Sequence, residues 1–562
     1  MGNTKTTERS SADHGTTESE IAKQGTTPED EFKPSKREVL HDNQELCRLN
    51  LERVVPTVPL EIRPSKIDNT GSGLFVGSEI GANSEIYRVV PMMHALKPGN
   101  DHYCHHCLKD TEDMLGRPPQ TVKAMPCTGC KVARYCSKQC QKLAWGLYHR
   151  DECRILKHEP AMASQTLLTH RLIFWQQRGY LTTPQAKTLM LLESHFEEHT
   201  AHSELAEAIF DIGNAIREAT GKKVQPSVPW RLLTVMRTNC IPLRPAKSIE
   251  DVIGYAFDMV TAMINHSCAP NAFITFEGSH LRVRSLKPIA AGEEITVSYA
   301  DPSIPVFNRQ RFLKDTFFFE CRCKGCEDDQ RVQLALAGAP ENIPKLQEIQ
   351  QQMIETIAYA VRTSQSPGSC TPDIENLESV ETKLRTITAA AFLRNEPYLE
   401  HVQPLPSIRR SLAMLYLEKG KPIQALRNAL KGCLRKSDRV ELRWVNDMID
   451  PVYTALLVAG SLPPDAPAFK DKAFPSALEL RVVTLGYILA VANEAVRVFG
   501  DDCEYAKGLL DMATTLGAQK PPPNPGTAEF AAEFVPAQRK LLAWAGLSED
   551  HIVTIPGMQR SG

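Results

Sequence analysis

The sequence predicts an α+β chain in which a small β-rich unit is interrupted by a cysteine-rich module and a run of helices, then followed by an all-α C-terminal half. Three observations carry the prediction. Apolar and polar residues alternate over short runs between positions 60 and 90, and the alternation returns between 273 and 285. Seven cysteines and His149 crowd into residues 104–153 at metal-ligand spacing. From about residue 330 onward apolar residues recur at helical spacing, with breaks at Pro463-Pro464, Pro467 and Pro521-Pro522-Pro523.

At 562 residues the chain exceeds one compact core, and its length predicts three or four domains. A hydrophobic share of 42%, a charged share of 23% and a formal net charge of -2 are those of an ordinary soluble protein, with no general attraction to nucleic acid or anionic membrane. No run of 18 apolar residues and no apolar N-terminal core stand in the sequence, so an intracellular protein with no transmembrane segment is expected. In that compartment the sixteen cysteines are thiols, and their close spacing points to metal.

Residues 1–50 are rich in Thr, Ser, Glu and Lys, with Phe32 the single aromatic; such an arm cannot bury enough apolar area to offset its ordering, and disorder is expected. Gly2 and Thr6 fit the loose N-myristoylation pattern, although it fixes two residue types only, and a chance match in a polar tail is the simpler account. Lys33, Lys36 and Arg37 are too few for an import signal, so cytoplasm and nucleus both stay open.

Leu60–Arg63, Ile67–Val76 and Glu85–Val90 read as strands separated by the turn residues Pro64, Asn69, Gly71 and Gly81. Gly71-x-Gly73 lets a backbone turn approach a ligand without interference from Cβ. The cysteine module follows: Cys104, Cys107, Cys127, Cys130, Cys136, Cys140, His149 and Cys153 supply two complete tetrahedral zinc sites, with Cys136/Cys140 and His149/Cys153 one helical turn apart. Spacing alone leaves the pairing open. The central Cys-x-His-x-x-Cys of a RING module is absent, and the complete eight-ligand set makes His102, His105 and His106 bystanders.

This string resembles a MYND zinc finger. The resemblance implies interleaved ligation, with Cys104, Cys107, Cys136 and Cys140 on one ion and Cys127, Cys130, His149 and Cys153 on the other. It also implies recognition of proline-containing peptides. Lys123, Lys131, Arg134, Lys138, Lys142 and Arg150 are diluted by Asp110, Glu112, Asp113, Asp151 and Glu152, which favours peptide over DNA.

Residues 154–238 read as helices, with Leu167, Leu168, Leu172, Ile173 and Trp175 on one face and further periodicity over Ala186–His195 and Ser203–Glu218. Then comes Asn265-His266-Ser267-Cys268-Ala269-Pro270-Asn271, the strand pair Phe273–Glu277 and Leu281–Ser285 about a Glu277-Gly278-Ser279 turn, and a strand over Gly292–Tyr299 containing Glu294. Asn-His-Ser-Cys-x-Pro-Asn followed by Glu-x-x-x-x-Tyr resembles the core of a SET domain, and the whole order resembles the SET and MYND domain-containing protein-lysine methyltransferases. The resemblance implies S-adenosylmethionine as cofactor, held by Gly71, Gly73, Asn239, Asn265, His266 and Phe319. It implies a lysine channel at Ile241 and Phe317, where the family carries an aromatic and a tyrosine, so the number of methyl groups transferred stays open. Cys268 joins Cys321, Cys323 and Cys326 in a third zinc site, making three structural Zn2+ in all.

The resemblance makes Tyr299 the catalytic residue. A lysine amine with pKa near 10.4 is neutral about one part in a thousand at pH 7.4, so presenting the free amine costs roughly 4 kcal/mol unless the site lowers that pKa. An apolar channel and a sulfonium charge both do so, and Tyr299 then aims the lone pair.

The expected order is therefore a disordered arm (1–50), the first part of the SET domain (58–103), the MYND finger (104–153), a helical insert (154–238), the SET core (239–305), a post-SET segment (306–327) and a C-terminal domain (328–562). Leu412-Ala413, Tyr416, Gly420 and Ala425 reproduce the small-residue spacing of a tetratricopeptide-like hairpin in the last of these. A monomeric methyltransferase acting on a histone or non-histone protein is expected. The alternative is a catalytically degenerate scaffold that recruits partners through its finger, kept open by Ile241 and Phe317.

Overall fold

The computed structural model describes residues 39–67, 71–111, 123–201, 203–301, 304–364, 404–434, 441–463, 465–518 and 527–555, with short pieces at 374–375, 377–379, 382 and 524. The myristoylation pattern and residues 1–38 of the arm lie outside them, as do Asn69, Glu112, Asp113, Pro464 and Pro521-Pro522-Pro523.

Its β-structure is several small sheets, because each short run pairs with a partner far away in sequence. The first five strands are β1 (Val55–Pro56), β2 (Leu60–Pro64), β3 (Ser72–Val76), β4 (Glu85–Val89) and β5 (Met93–Leu96). The finger adds β6 (Met125–Pro126) and β7 (Arg134–Tyr135), and the later part adds β8 (Ile241–Leu243), β9 (Gly254–Phe257), β10 (Asn265–His266), β11 (Ala272–Glu277), β12 (His280–Ser285) and β13 (Thr296–Val297). Four of them form an antiparallel sheet in the order β1-β4-β12-β11, three form β5-β9-β8, and β2-β3, β6-β7 and β10-β13 are pairs. Leu74, Val76, Ile86, Tyr87, Leu281, Val283 and Ile295 share one core, and the consecutive Ile86 and Tyr87 show that β4 is buried on both faces.

A second core joins the finger to the helical insert. Around α4 (Ser164–Gln177) and α8 (Ser227–Asn239), Leu168, Leu172, Leu232 and Met236 pack with the finger's Cys104, Cys127 and Cys130 and with Phe257 of β9. A module with so few apolar residues thereby borrows a core from its neighbours. The third core is the C-terminal bundle, into which Ala246 and Phe273 of the β-unit project. Its first hairpin is α12 (Leu405–Glu418) and α13 (Pro422–Cys433), with Leu412, Ala413 and Ala425 buried and Gly420 turning the chain at φ +65°.

Several expectations are corrected. Residues 39–50 of the arm expected to be disordered are ordered: Leu40–Asp42 form a 3-10 turn and α1 spans Gln44–Leu51, capped by Asn43 and burying Leu40, Leu46 and Cys47. Cys136 and Cys140 do not share a helix, because Ser137 is extended and caps α2 (Lys138–Ala144), which starts after it. The strand expected over Gly292–Tyr299 is shorter, with β13 at Thr296–Val297 pairing β10 and an isolated antiparallel bridge joining Glu294 to Phe75 of β3. Among the described residues one helix, α17 (Ala477–Phe499), is long and apolar enough to cross a membrane by length and composition, but 72% of its apolar stretch is buried inside the bundle.

Candidate active site

The parallel pairing of β10 and β13 sets Asn265 beside Thr296 and His266 beside Val297. It brings the Asn-His-Ser-Cys segment against the chain leading to Tyr299. The Tyr299 backbone N–H donates to Nδ1 of His266 at 2.9 Å, and Nε2 of the same ring lies 3.1 Å from Sγ of Cys268. Because Nδ1 accepts, the neutral ring carries its proton on Nε2 and donates it to the sulfur. His266 therefore ties the tyrosine backbone to a metal-ligand thiol.

Glu294 clamps this segment to the glycine loop. One carboxylate oxygen accepts from Oγ of Ser65 and from Nδ2 of Asn265, each at 2.8 Å, and the other accepts from the Lys66 backbone N–H at 2.9 Å. Nδ2 of Asn265 also donates to the Ser72 carbonyl at 3.1 Å. Gly71 adopts φ +75°, while a Cβ on Gly73 would stand 2.3 Å from the Glu294 carboxylate. Among the described residues the glycine loop is thus edged by backbone and by the Asn265 amide, with the Glu294 carboxylate filling the space beside Gly73.

The Tyr299 hydroxyl donates to the Ile264 carbonyl at 2.6 Å, which leaves the oxygen's lone pairs free to accept. Burial, and then the nearby Glu294 carboxylate, push the phenol pKa up, so Tyr299 is a neutral phenol at physiological pH. It stands on the wall of a cavity of about 920 Å³ together with Asn239, Ile241 and Phe317. The Phe317 ring lies 4.9 Å from that of Tyr299. Phe318 turns through a left-handed conformation at φ +59°, sending its own ring against His199 while Phe319 faces His266 at 5.7 Å.

Of the residues expected to hold a cofactor, Asn239 alone is on the cavity wall, and its amide nitrogen donates to the Glu193 and Val235 carbonyls at 2.6 and 2.9 Å. That leaves its oxygen to meet a ligand. Gly71, Gly73, Asn265, His266 and Phe319 lie off that wall and are joined through Ser72, Glu294 and the two rings.

All twelve expected metal ligands fall into three groups of four: Cys104, Cys107, Cys136 and Cys140; Cys127, Cys130, His149 and Cys153; Cys268, Cys321, Cys323 and Cys326. The interleaved pairing is the one implied by the resemblance. Sulfur separations of 3.6 Å (Cys107–Cys136), 3.8 Å (Cys127–Cys153) and 3.5 Å (Cys136–Cys140) match the roughly 3.8 Å between sulfurs that Zn–S bonds of about 2.3 Å set on a tetrahedron. The donor sets fit zinc.

Two supports of these clusters went unread in the sequence. Glu152, counted there as surface charge, is 2% exposed; it lies 3.2 Å from Nδ1 of His149 and takes Arg171 on both oxygens at 2.6 and 2.9 Å. Burial would raise its carboxyl, but Arg171 and His149 outweigh burial and hold it down to about 2. Arg309, equally buried, donates Nε to Sγ of Cys268 at 3.2 Å and pairs with Asp329. The arginine contacts leave no local sequence signal, because Arg171 and Arg309 are far in sequence from Glu152 and Cys268.

Residues 104–153 match the MYND finger family. The chain is 26% identical over 308 residues to Histone-lysine N-methyltransferase SMYD3 of Homo sapiens, covering 54% of this chain and 69% of that protein. It is 31% identical over 214 residues to SET domain and MYND-type zinc finger protein 6 of Schizosaccharomyces pombe, covering 37% of this chain and 42% of that protein. To N-lysine methyltransferase SMYD2 of Bos taurus it is 26% identical over 343 residues, covering 54% and 78%. The chain carries a MYND finger, and over about half its length it is similar to proteins of the SET and MYND kind.

Proposed function

We propose, from this similarity to SET and MYND proteins named as lysine methyltransferases, that the chain is an S-adenosylmethionine-dependent protein-lysine N-methyltransferase with a SET-type β-fold split by its finger and insert. One observation carries the proposal: a neutral tyrosine whose hydroxyl hydrogen is committed to the Ile264 carbonyl at 2.6 Å, on the wall of a cavity that also holds Ile241 and Phe317. When bound, S-adenosylmethionine supplies an electrophilic methyl group on a sulfonium centre.

The chain's own residues do the rest. The Gly71–Gly73 backbone, Asn265 and Phe319 hold the cofactor, and the oxygen of Asn239 meets its polar end. Tyr299 accepts a hydrogen bond from the lysine nitrogen and turns the remaining lone pair toward the methyl carbon, a positioning role that requires a phenol and not a phenolate. Phe317 and Ile241 keep water from the amine, which favours its neutral form. A cavity of about 920 Å³ is near the top of the usual 300–1,000 Å³ range for ligand pockets, so it admits residues flanking the lysine as well. The zinc ions are structural, and the finger binds proline-containing peptides of partner proteins. The histone-directed relatives make a nuclear histone one candidate substrate and a cytoplasmic protein another.

Calorimetric titration of zinc-replete protein with S-adenosylmethionine tests this without knowledge of the substrate. Micromolar binding that disappears in Asn265→Ala is expected. Folded protein that binds no cofactor would instead support the scaffold alternative.

A further inference from the structure

Three side chains converge on the turn in front of Asn265, and Thr261 among them also lies on the cavity wall. Asp258, at 0% exposure, accepts through one oxygen from the backbone N–H of Thr261 at 2.9 Å and from its hydroxyl at 2.8 Å. The same hydroxyl accepts from the phenol of Tyr87, equally buried, at 2.9 Å. Each hydroxyl hydrogen in the chain Tyr87–Thr261–Asp258 therefore has one direction to point.

These bonds close a 3-10 turn over Thr261–Met263, whose next residue is Ile264. Ile264 donates its N–H back to the Thr261 carbonyl at 3.1 Å, and its own carbonyl receives the Tyr299 hydroxyl. Short 3-10 turns have poor intrinsic hydrogen-bond geometry, so side-chain bonds that hold the first residue of this one, Thr261, also steady Ile264, the residue that ends it. We infer that the Tyr87–Thr261–Asp258 network sets the direction of the Ile264 carbonyl and thereby the rotation of the Tyr299 hydroxyl, making Thr261 and Asp258 positioning residues for methyl transfer. This rests on the proposed methyltransferase reading.

The test uses full-length, zinc-replete protein labelled with 3-fluorotyrosine. The Tyr299 resonance is assigned among the thirteen tyrosines by its absence in Tyr299→Phe. Thr261→Val keeps the shape and removes the hydroxyl; Thr261→Ser restores it. A shifted or broadened Tyr299 signal is expected in the valine variant and the wild-type signal in the serine variant. With tritiated S-adenosylmethionine and core histones as probe, kcat should fall about tenfold in the valine variant while KM and cofactor affinity stay within twofold. Tyr87→Phe provides a second test should the valine variant not fold, with a change in the same direction. An unchanged Tyr299 signal in either folded variant overturns the inference even if methyl transfer is robust. Wild-type protein that transfers no methyl group and binds no cofactor overturns the methyltransferase reading instead, while the fluorine signal still decides the geometry.

Discussion

Gly71 and Gly73 stand two positions apart in one loop, yet different forces select them. Gly71 needs its left-handed backbone, φ +75°, and a Cβ there would meet open space. Gly71→Ala should cost about 1 kcal/mol, the usual penalty for that conformation. Gly73 needs its missing side chain, because Glu294 occupies the space. Gly73→Ala forces that carboxylate off Ser65, the Lys66 N–H and Asn265, and the lost charge-assisted bonds should cost about 3 kcal/mol. Urea midpoints of the two variants check the ranking; equal losses would refute it. The Gly-x-Gly spacing was legible in the sequence as a close backbone approach, but the carboxylate that enforces it lies more than two hundred residues away. Tyr299→Phe belongs to the same scale. It removes the hydroxyl that donates to Ile264 and that, on the proposed reading, meets the lysine amine, so methyl transfer should fall at least about a hundredfold with cofactor affinity within threefold, read by single-turnover transfer and calorimetry.

Elements were legible where a short pattern suffices. Alternation located β2, β4, β11 and β12, and Cys/His spacing located eleven of the twelve ligands, with Cys268 entering as the fourth that the Cys321, Cys323 and Cys326 set lacked. What failed depended on long-range contact. The ordered segment before β1 is stabilised by burying Leu46 and Cys47 against the β-core, and its one local signal was Asn43 as a cap. Likewise Glu152 looks like a surface charge until α4 brings Arg171 over it. A carboxylate on the outer nitrogen of a metal-bound imidazole fixes its tautomer and raises ligand strength, and losing it usually weakens metal binding by 10- to 100-fold. Glu152→Gln should therefore release one zinc in three to a chelator well ahead of the other two. Synchronous release of all three ions would show that Glu152 serves packing alone.

At the scale of the whole molecule, the C-terminal bundle is tied to the β-unit by charge pairs that range from buried to half-exposed. Asp502 meets Arg282 and Arg88, and the Val498 carbonyl takes Nε of Arg284 at 2.7 Å. On the cavity side Arg410 of α12 pairs with Glu250 of the β-unit at 2.8 Å and with Asp447 at 2.7 Å, while Asp450 lies at 3.5 Å. Glu250 and Asp447 also line the cavity, so this cluster joins domain docking to the shape of the groove. Arg410→Ala leaves three carboxylates facing one another; with Asp447 buried and the other two partly solvated, the loss should be about 3 kcal/mol, the low end for a broken buried pair. The sign of its pH dependence follows. Burial already raises the Asp450 carboxyl in the native protein, with Arg410 opposing it. Without the guanidinium the Asp450 carboxyl rises further above its unfolded value, so the folded variant binds a proton that the unfolded chain does not, and its stability recovers as pH falls through that range. The gap between variant and wild type should therefore narrow from pH 7.5 to pH 5.5 in urea melts; a gap that stays constant would mean that Arg410 acts through packing and not through charge.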